Sequence, residues 1–138
     1  MQRERELKTD KCTVKLVHKA DGVFLSVVAG YWEHHTLKDF YAFAETCATS
    51  DGKIWWFADF WALENYETQV RVDLTHWVKD RTEGVETVFK SKMVAMGVQV
   101  ARLVAGAKIK VHPDRALFER AIAKEVTLRA RPRPSTNV

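Results

Sequence analysis

Cysteine is scarce in this chain of 138 residues, and the two present, Cys12 and Cys47, are not spaced as a Cys-x-x-Cys pair. That count disfavours a disulfide framework or a zinc site, so we expect two buried thiols in a reducing compartment. Every uncharged run is far shorter than the ~20 residues that a membrane-spanning helix needs. The first eleven residues are mostly charged and contain no apolar run, unlike a secretory signal. We therefore predict a cytoplasmic protein without a membrane span.

Sequence signatures of catalysis and of nucleic-acid binding are also missing. The chain contains neither a GxSxG nucleophile turn nor a P-loop. Its net charge of +4 depends on three arginines near the C-terminus, Arg129, Arg131 and Arg133, and the rest of the chain is nearly neutral. A nucleic-acid-binding face would combine basic and aromatic residues, whereas the aromatic residues here lie in apolar runs. We expect no enzyme activity, no cofactor and no nucleic-acid partner.

The residues that are present have the balance of a globular protein, 46% hydrophobic and 29% charged, at a length that favours one domain. Period-two and helical patterns alternate along the chain. They predict an α/β domain with a single mixed, mainly parallel sheet, an N-terminal hairpin turning at Asp21 and Gly22, and four helices. The predicted strands are residues 12–18, 23–29, 53–60, 85–89 and 107–111, and the predicted helices are residues 36–50, 64–80, 91–105 and 113–125. Residues 1–11 form a polar lead-in, residues 12–125 the domain, and residues 126–138 an irregular tail rich in Arg and Pro.

Three segments, taken in order, resemble one known fold. They are Val27-Val-Ala-Gly-Tyr31 at the end of the hairpin, Ile54-Trp-Trp-Phe-Ala-Asp59 along the central strand, and Ser91-Lys-Met-Val-Ala-Met-Gly97 at the start of the third helix. Together they resemble the STAS fold of anti-sigma-factor antagonists, especially its divergent SpoIIAA-like members, over roughly residues 12–125. The resemblance implies a protein-interaction module.

The same resemblance has a consequence for regulation. In that family the third strand commonly leads into an Asp-Ser-Ser-Gly-like turn, whose serine is phosphorylated by a partner kinase. Matching Asp59 to the aspartate places Phe60, Trp61 and Ala62 where the two serines and the glycine would be. The resemblance therefore implies the fold without the phosphate acceptor. Asp59 is predicted to cap the helix after this switch-like turn, with a catalytic role as the alternative.

Two groups of titratable residues are candidates for chemical sites. The neighbouring His34 and His35 could bind a metal, although adjacent side chains in an extended loop point apart and no second ligand cluster is evident. Asp73, His76 and Asp80 recur at helical spacing and could orient a histidine for proton transfer. They also lie on the polar side of an amphipathic helix, where solvated pairs are common. The interpretation that we favour is no metal site and no catalytic residue.

The chain has five tryptophans, more than a core of this size obviously requires. Trp55 and Trp56 are consecutive in a strand, so they must point to opposite faces of the sheet. Tyr31, Trp32 and Trp61 fall in predicted strand-to-helix loops, at the edge where a partner could bind. Contact with a partner or ligand and ordinary packing remain equal alternatives for these three residues.

The third predicted helix is apolar on nearly all sides. It includes Met93, Met96, Val100 and Leu103, and between Met93 and Val104 only Gln99 and Arg102 are polar. A helix on one face of a small sheet is covered on one side only, so the remaining apolar side needs another cover. We predict a homodimer through this helix, or contact with an unidentified protein partner. The alternatives are an apolar cavity that carries a lipid or another hydrophobic small molecule, and complete burial of the helix within the monomer.

Overall fold

The computed structural model describes residues 3–130, which form seven strands and four helices. The strands are Glu4–Lys8 (β1), Cys12–Ala20 (β2), Val23–Trp32 (β3), Trp55–Phe60 (β4), Leu63–Tyr66 (β5), Gly84–Phe89 (β6) and Ile109–Val111 (β7). The helices are Leu37–Cys47 (α1), Thr68–Arg81 (α2), Lys92–Ala105 (α3) and Arg115–Ala130 (α4). Short 3-10 turns, His34–Thr36 and Gly106–Lys108, precede α1 and β7.

All the strands belong to one sheet in the order β1-β2-β3-β4-β6-β7. The first three strands pair antiparallel, and β3, β4, β6 and β7 pair in parallel. β5 also pairs in parallel with β3, beyond the end of β4. β4 and β5 therefore pair with successive parts of β3. The predicted mixed, mainly parallel sheet with an N-terminal hairpin is confirmed.

Two of these strands, β1 and β5, were not predicted. β1 shows no apolar alternation, because four of its five residues are charged. It pairs only with β2. β5 was assigned to the start of α2 because Tyr66 and Val70 have helical spacing. In the structure Glu67 is extended and α2 begins only at Thr68. Pairing with β3 outweighs this local periodicity, which is a tertiary effect.

β3 is also longer than predicted. It continues through Trp32, where a strand-to-helix loop was predicted, because Gly30, Tyr31 and Trp32 pair with β5. Gly30 has a φ of +88°, and a Cβ there would lie 2.3 Å from the carbonyl oxygen of Lys11. Glycine is therefore required for the close approach of these two chain segments.

The two faces of the sheet carry separate cores. On one face α1, α2 and α3 pack over a large cluster that includes Phe24, Trp56 and Phe60. On the other face α4 covers a small cluster centred on Phe57, Val88 and Phe118. Trp55 packs against the small cluster and Trp56 lies in the large one. The prediction that these two tryptophans point to opposite faces is confirmed.

The C-terminal helix is longer than the sequence indicated. The irregular tail was predicted from residue 126, but α4 continues to Ala130. Arg129 holds this last turn by bonding Glu125 (Nε to Oε1, 2.9 Å) and the carbonyl of Asp21 (3.1 Å). The rest of the predicted tail, with Arg131 and Arg133, lies outside the described residues. None of the helices in residues 3–130 is long and apolar enough to cross a membrane.

Candidate functional site

The N-terminus of α3 is fixed by Ser91. Its hydroxyl oxygen accepts a hydrogen bond from the backbone N–H of Val94 (3.4 Å) and donates one to the carbonyl of Glu64 in β5 (2.8 Å). A serine cap satisfies a backbone donor that would otherwise lack a partner at the helix start. The predicted cap at Ser91 is confirmed, and this contact also ties α3 to β5.

The inner side of α3 lies close to the sheet. Val94, Gly97 and Ala105 are buried. A Cβ on Gly97 would lie 2.2 Å from the hydroxyl oxygen of Tyr66, which itself donates to the carbonyl of Met93 (3.1 Å). Only glycine permits this separation, so the sequence at this point specifies how near α3 lies to β5.

The outer side of α3 presents an apolar surface to solvent. The exposed fractions are 46% for Met93, 61% for Met96, 42% for Val100, 86% for Leu103 and 48% for Val104. We call these five residues the α3 stripe. The predicted alternative in which neighbouring helices bury α3 completely is wrong, because one sheet and α2 can cover only its inner side. A contiguous apolar patch of this kind is a common mark of an interaction surface.

The polar residues of α3 lie to one side of the stripe. Lys92, Gln99 and Arg102 are exposed, and α3 has no acidic residue. At 100° per residue, Arg102 lies about 150° around the helix from the centre of the stripe, whereas Lys92 lies about 70° from it. Lys92 is therefore the charged residue of α3 that borders the apolar surface.

An apolar cavity of about 80 Å³ lies beneath α3, between this helix, α2 and the sheet. Its walls include Trp32, Trp56, Leu74, Val98 and Ala101. The hydroxyl groups among its lining residues are already bonded. Thr75 donates to the carbonyl of Arg71 (2.7 Å), Thr87 to that of Ala58 (2.9 Å), and Tyr66 to that of Met93. The cavity thus offers shape and apolar contact but few free hydrogen-bonding groups.

The three aromatic residues predicted in loops have different surroundings. Trp32 is buried in β3, and its indole N–H donates to the Thr36 hydroxyl (2.8 Å). Its predicted place in a strand-to-helix loop is wrong; of the two alternatives, packing accounts for its burial, and it also lines the cavity. Tyr31, also in β3, is half-buried with the Lys11 ammonium 5.6 Å from its ring centre. Trp61, in the turn between β4 and β5, lies similarly under Lys90 (5.7 Å).

Asp59 is buried at the end of β4 and does not cap a helix. Its carboxylate accepts a hydrogen bond from the backbone N–H of Trp61 (3.1 Å) and another from the Arg115 guanidinium of α4 (3.0 Å). The predicted helix cap is wrong because β5, and not a helix, follows this turn. The aspartate instead fixes the turn between the two strands and anchors the first turn of α4.

The structure joins one residue from each of the two candidate histidine groups, but among the residues that it describes it does not build a larger cluster. His34 is hydrogen-bonded to Asp73, and this bond is the main cause that lowers the pKa of the Asp73 carboxyl. His35 lies 3.4 Å from the carboxylate of Glu33. His76 is exposed on α2. Within residues 3–130 no group of three or more His, Cys, Asp or Glu side chains is arranged to hold a metal ion.

The two cysteines are free and buried, as predicted. Cys12 lies in β2 and Cys47 at the end of α1, on the side of the large core. Burial raises the pKa of the Cys47 thiol to about 11. A thiol in such surroundings is a poor nucleophile, because the thiolate is the reactive form.

One buried polar group was missed by the sequence interpretation. Beneath α4, the carboxylate of Glu86 accepts a hydrogen bond from the Trp55 indole N–H (2.9 Å) and lies 2.7 Å from Nε2 of His112. Glu86 and His112 are 7% and 8% exposed. The signal was a glutamate in the middle of the apolar strand β6, where a charged residue has to find a partner.

The comparisons with known proteins agree on the fold alone. No protein-family model and no curated protein matches the sequence. One solved structure, from Shewanella loihica PV-4, is described as an uncharacterized protein from the DUF3478 family with a SpoIIAA-like fold. It superposes with a TM-score of 0.53 at 12% sequence identity, over 88% of this chain and 93% of that chain. This chain therefore has a SpoIIAA-like fold, the fold that the three sequence segments resembled.

Proposed function

We propose that this chain is a non-enzymatic protein-interaction module and that the α3 stripe is its docking surface. The observation that carries the proposal is the exposure of five large apolar side chains on one side of a single helix. Scattered apolar residues on a surface are ordinary, whereas the largest contiguous patch on a protein is often functional. Methionines in the patch add adaptable contacts.

The size of the stripe supports an interaction of moderate strength. Its five side chains expose roughly 500 Å² of apolar surface, within the range of the largest patches on monomeric proteins, which are often functional. Removing that area from water would contribute about 12 kcal/mol from this side of an interface. Association itself costs about 4–15 kcal/mol. Docking through α3 is therefore favourable only when a partner covers most of the stripe.

Site-specific photocrosslinking in cells of the native host tests the proposal. A photoreactive amino acid replaces Met96 in the stripe or, as the control, Lys124 on the exposed side of α4. We expect a covalent adduct of defined mass at position 96 and none at position 124, and we expect Val100→Asp to abolish it. Absence of the adduct, or its persistence with Val100→Asp, would refute docking through α3.

A folding control separates loss of docking from loss of structure. Met96→Asp places a charge at a position that is 61% exposed, so the free energy of unfolding of the isolated chain should change by less than about 0.5 kcal/mol. Val94→Asp places the same charge at a position that is 2% exposed and should unfold the domain. Urea denaturation followed by tryptophan fluorescence measures both changes.

The cavity beneath α3 favours a second candidate function, the binding of a small nonpolar molecule. Its 80 Å³ is far below the ~300–1,000 Å³ of drug-sized ligand sites, so an intact lipid does not fit. It is about half of a cavity of roughly 150 Å³ known to stay dry and to bind benzene or xenon. A compact nonpolar molecule without hydrogen-bonding groups has the matching chemistry.

Xenon is the probe for this second candidate. Ala101→Leu fills the cavity from α3, while Ala95→Leu adds the same side chain to the same helix outside the cavity lining. We expect xenon to shift the NMR signals of the Val98 and Leu74 methyl groups in the wild type and in Ala95→Leu but not in Ala101→Leu. Equal shifts in the two variants would rule the cavity out as the binding site.

A further inference from the structure

We infer that the partner of the α3 stripe is a second copy of this chain, packed with its α3 antiparallel about a two-fold axis. The inference rests on the proposed function, since it names the occupant of the same surface. The spacing of the stripe residues, the charged residues of α3 and the area of the stripe support this pairing.

Four of the five stripe residues are spaced symmetrically along α3. Met93, Met96, Val100 and Leu103 are separated by three, four and three residues, and Val104 lies beside Leu103 outside this symmetric set. Residues at such spacings lie on one side of a helix, here over about 15 Å. A two-fold axis perpendicular to α3 therefore places Met96 against the partner's Val100, and Met93 against the partner's Leu103. A self-complementary surface is what a symmetric pair requires.

The charged residues of α3 itself fit a second copy better than a strongly acidic partner. No charged residue lies within the stripe, and Arg102 lies on the far side of the helix from it. Lys92 is the cation of α3 that borders it. In the antiparallel arrangement Lys92 falls beside the C-terminal end of the partner's α3, where the helix dipole is negative. The two helix dipoles also oppose one another, which is favourable.

The area predicts a weak dimer. Two stripes together bury roughly 1,000 Å², below the ~1,200–2,000 Å² of most stable interfaces. A dissociation constant on the order of micromolar or weaker follows, because interfaces larger than this already extend from micromolar to picomolar. The fraction of dimer should rise with protein concentration. The Met96→Asp chain should stay monomeric over the same range of concentrations.

Disulfide trapping tests the arrangement. The native cysteines do not interfere, because Cys12 and Cys47 are 4% and 0% exposed. Met96→Cys and Val100→Cys proteins are mixed in equal amounts under mild oxidation. We expect the mixed disulfide to form at least about tenfold faster than a disulfide between two chains of either variant alone, since opposed thiols have a high effective concentration. Met96→Cys mixed with Leu128→Cys, at an exposed apolar position of α4, is the matched control.

The outcomes separate this inference from the proposed function. A mixed disulfide no faster than the control overturns pairing of two copies, and fastest trapping of Met96→Cys with itself overturns the antiparallel register. A photocrosslinked adduct at position 96 with twice the chain mass of 15.9 kDa supports the inference. An adduct of another mass keeps docking through α3 and overturns the second copy as its partner. Absence of any adduct refutes both.

Discussion

Replacing His112 should destabilise the domain more than any surface change, because it would leave a buried carboxylate without its main partner. Glu86 has two hydrogen-bonding contacts beneath α4, the Trp55 indole N–H at 2.9 Å and His112 Nε2 at 2.7 Å. His112→Phe keeps an aromatic ring near Phe118, whose centre lies 6.0 Å from that of the histidine ring. The change therefore removes the polar contact while it preserves most of the packing.

The expected loss follows from the burial of the pair. Leaving a buried polar group without its partner costs about 1–3 kcal/mol, and more for a carboxylate, so we expect a loss of about 3 kcal/mol and a Tm lower by roughly 10 °C. Glu86→Gln is the matched control. Its amide can accept from the Trp55 indole and keeps a polar contact with the imidazole, so it should cost less than about 1.5 kcal/mol.

Thermal and urea unfolding of the two variants and the wild type provide the comparison. A double variant, Glu86→Leu with His112→Phe, should be less destabilised than His112→Phe alone, because no buried charge remains and only the Trp55 indole loses its acceptor. The reasoning is refuted if His112→Phe costs less than about 1 kcal/mol, or if Glu86→Gln is as destabilising as His112→Phe.

Three further predictions concern other positions. Gly97→Ala should destabilise the domain by about 1–3 kcal/mol in urea unfolding, although alanine has the higher helix propensity. The loss should be smaller in a Tyr66→Leu background, and an unchanged stability would contradict the close contact with Tyr66. The pKa of His18 is lowered from 6.5, by burial first and then by the charge of Arg3. Below pH 6.5 the unfolded chain therefore binds a proton at His18 more readily than the folded chain does, so the free energy of unfolding should fall as the pH drops. His18→Gln should reduce this pH dependence, and an unchanged dependence would show that another group causes it. Cys47 should react with a thiol reagent at pH 8 only after unfolding, and rapid reaction of the native protein would show that its environment is open.

The sequence predicted the parts of the fold that depend on strong local patterns. The buried strands β2, β4 and β6, the Ser91 cap and the hairpin turn all follow from alternation, apolar runs and capping chemistry. β5 could not be predicted in this way. Tyr66 and Val70 have helical spacing, and only the pairing of β5 with β3, a contact distant in sequence, selects the extended form.

The candidate site was also predictable only where it depends on local sequence. The apolar composition predicted that the third helix has more apolar surface than the sheet can cover, and α3 exposes this surface in the structure. Composition could not predict which side stays open, because that depends on where α2 and β5 lie. Trp32 was predicted in a loop from its position in the sequence. Pairing of β3 with β5 places it in the core instead. The Glu86–His112 pair joins residues 26 positions apart, and only the parallel neighbours β6 and β7 bring them together.

The charged strand β1 has a consequence for how copies of this chain can assemble. It lies at one border of the sheet, and Glu4, Arg5, Glu6 and Lys8 occupy four of its five positions. At the opposite border, β7 has only three residues. Charges and short length both discourage the addition of a foreign strand, which is the route to fibrils and to uncontrolled aggregation. The chain can therefore expose a hydrophobic helix for association while its sheet stays protected from unlimited growth.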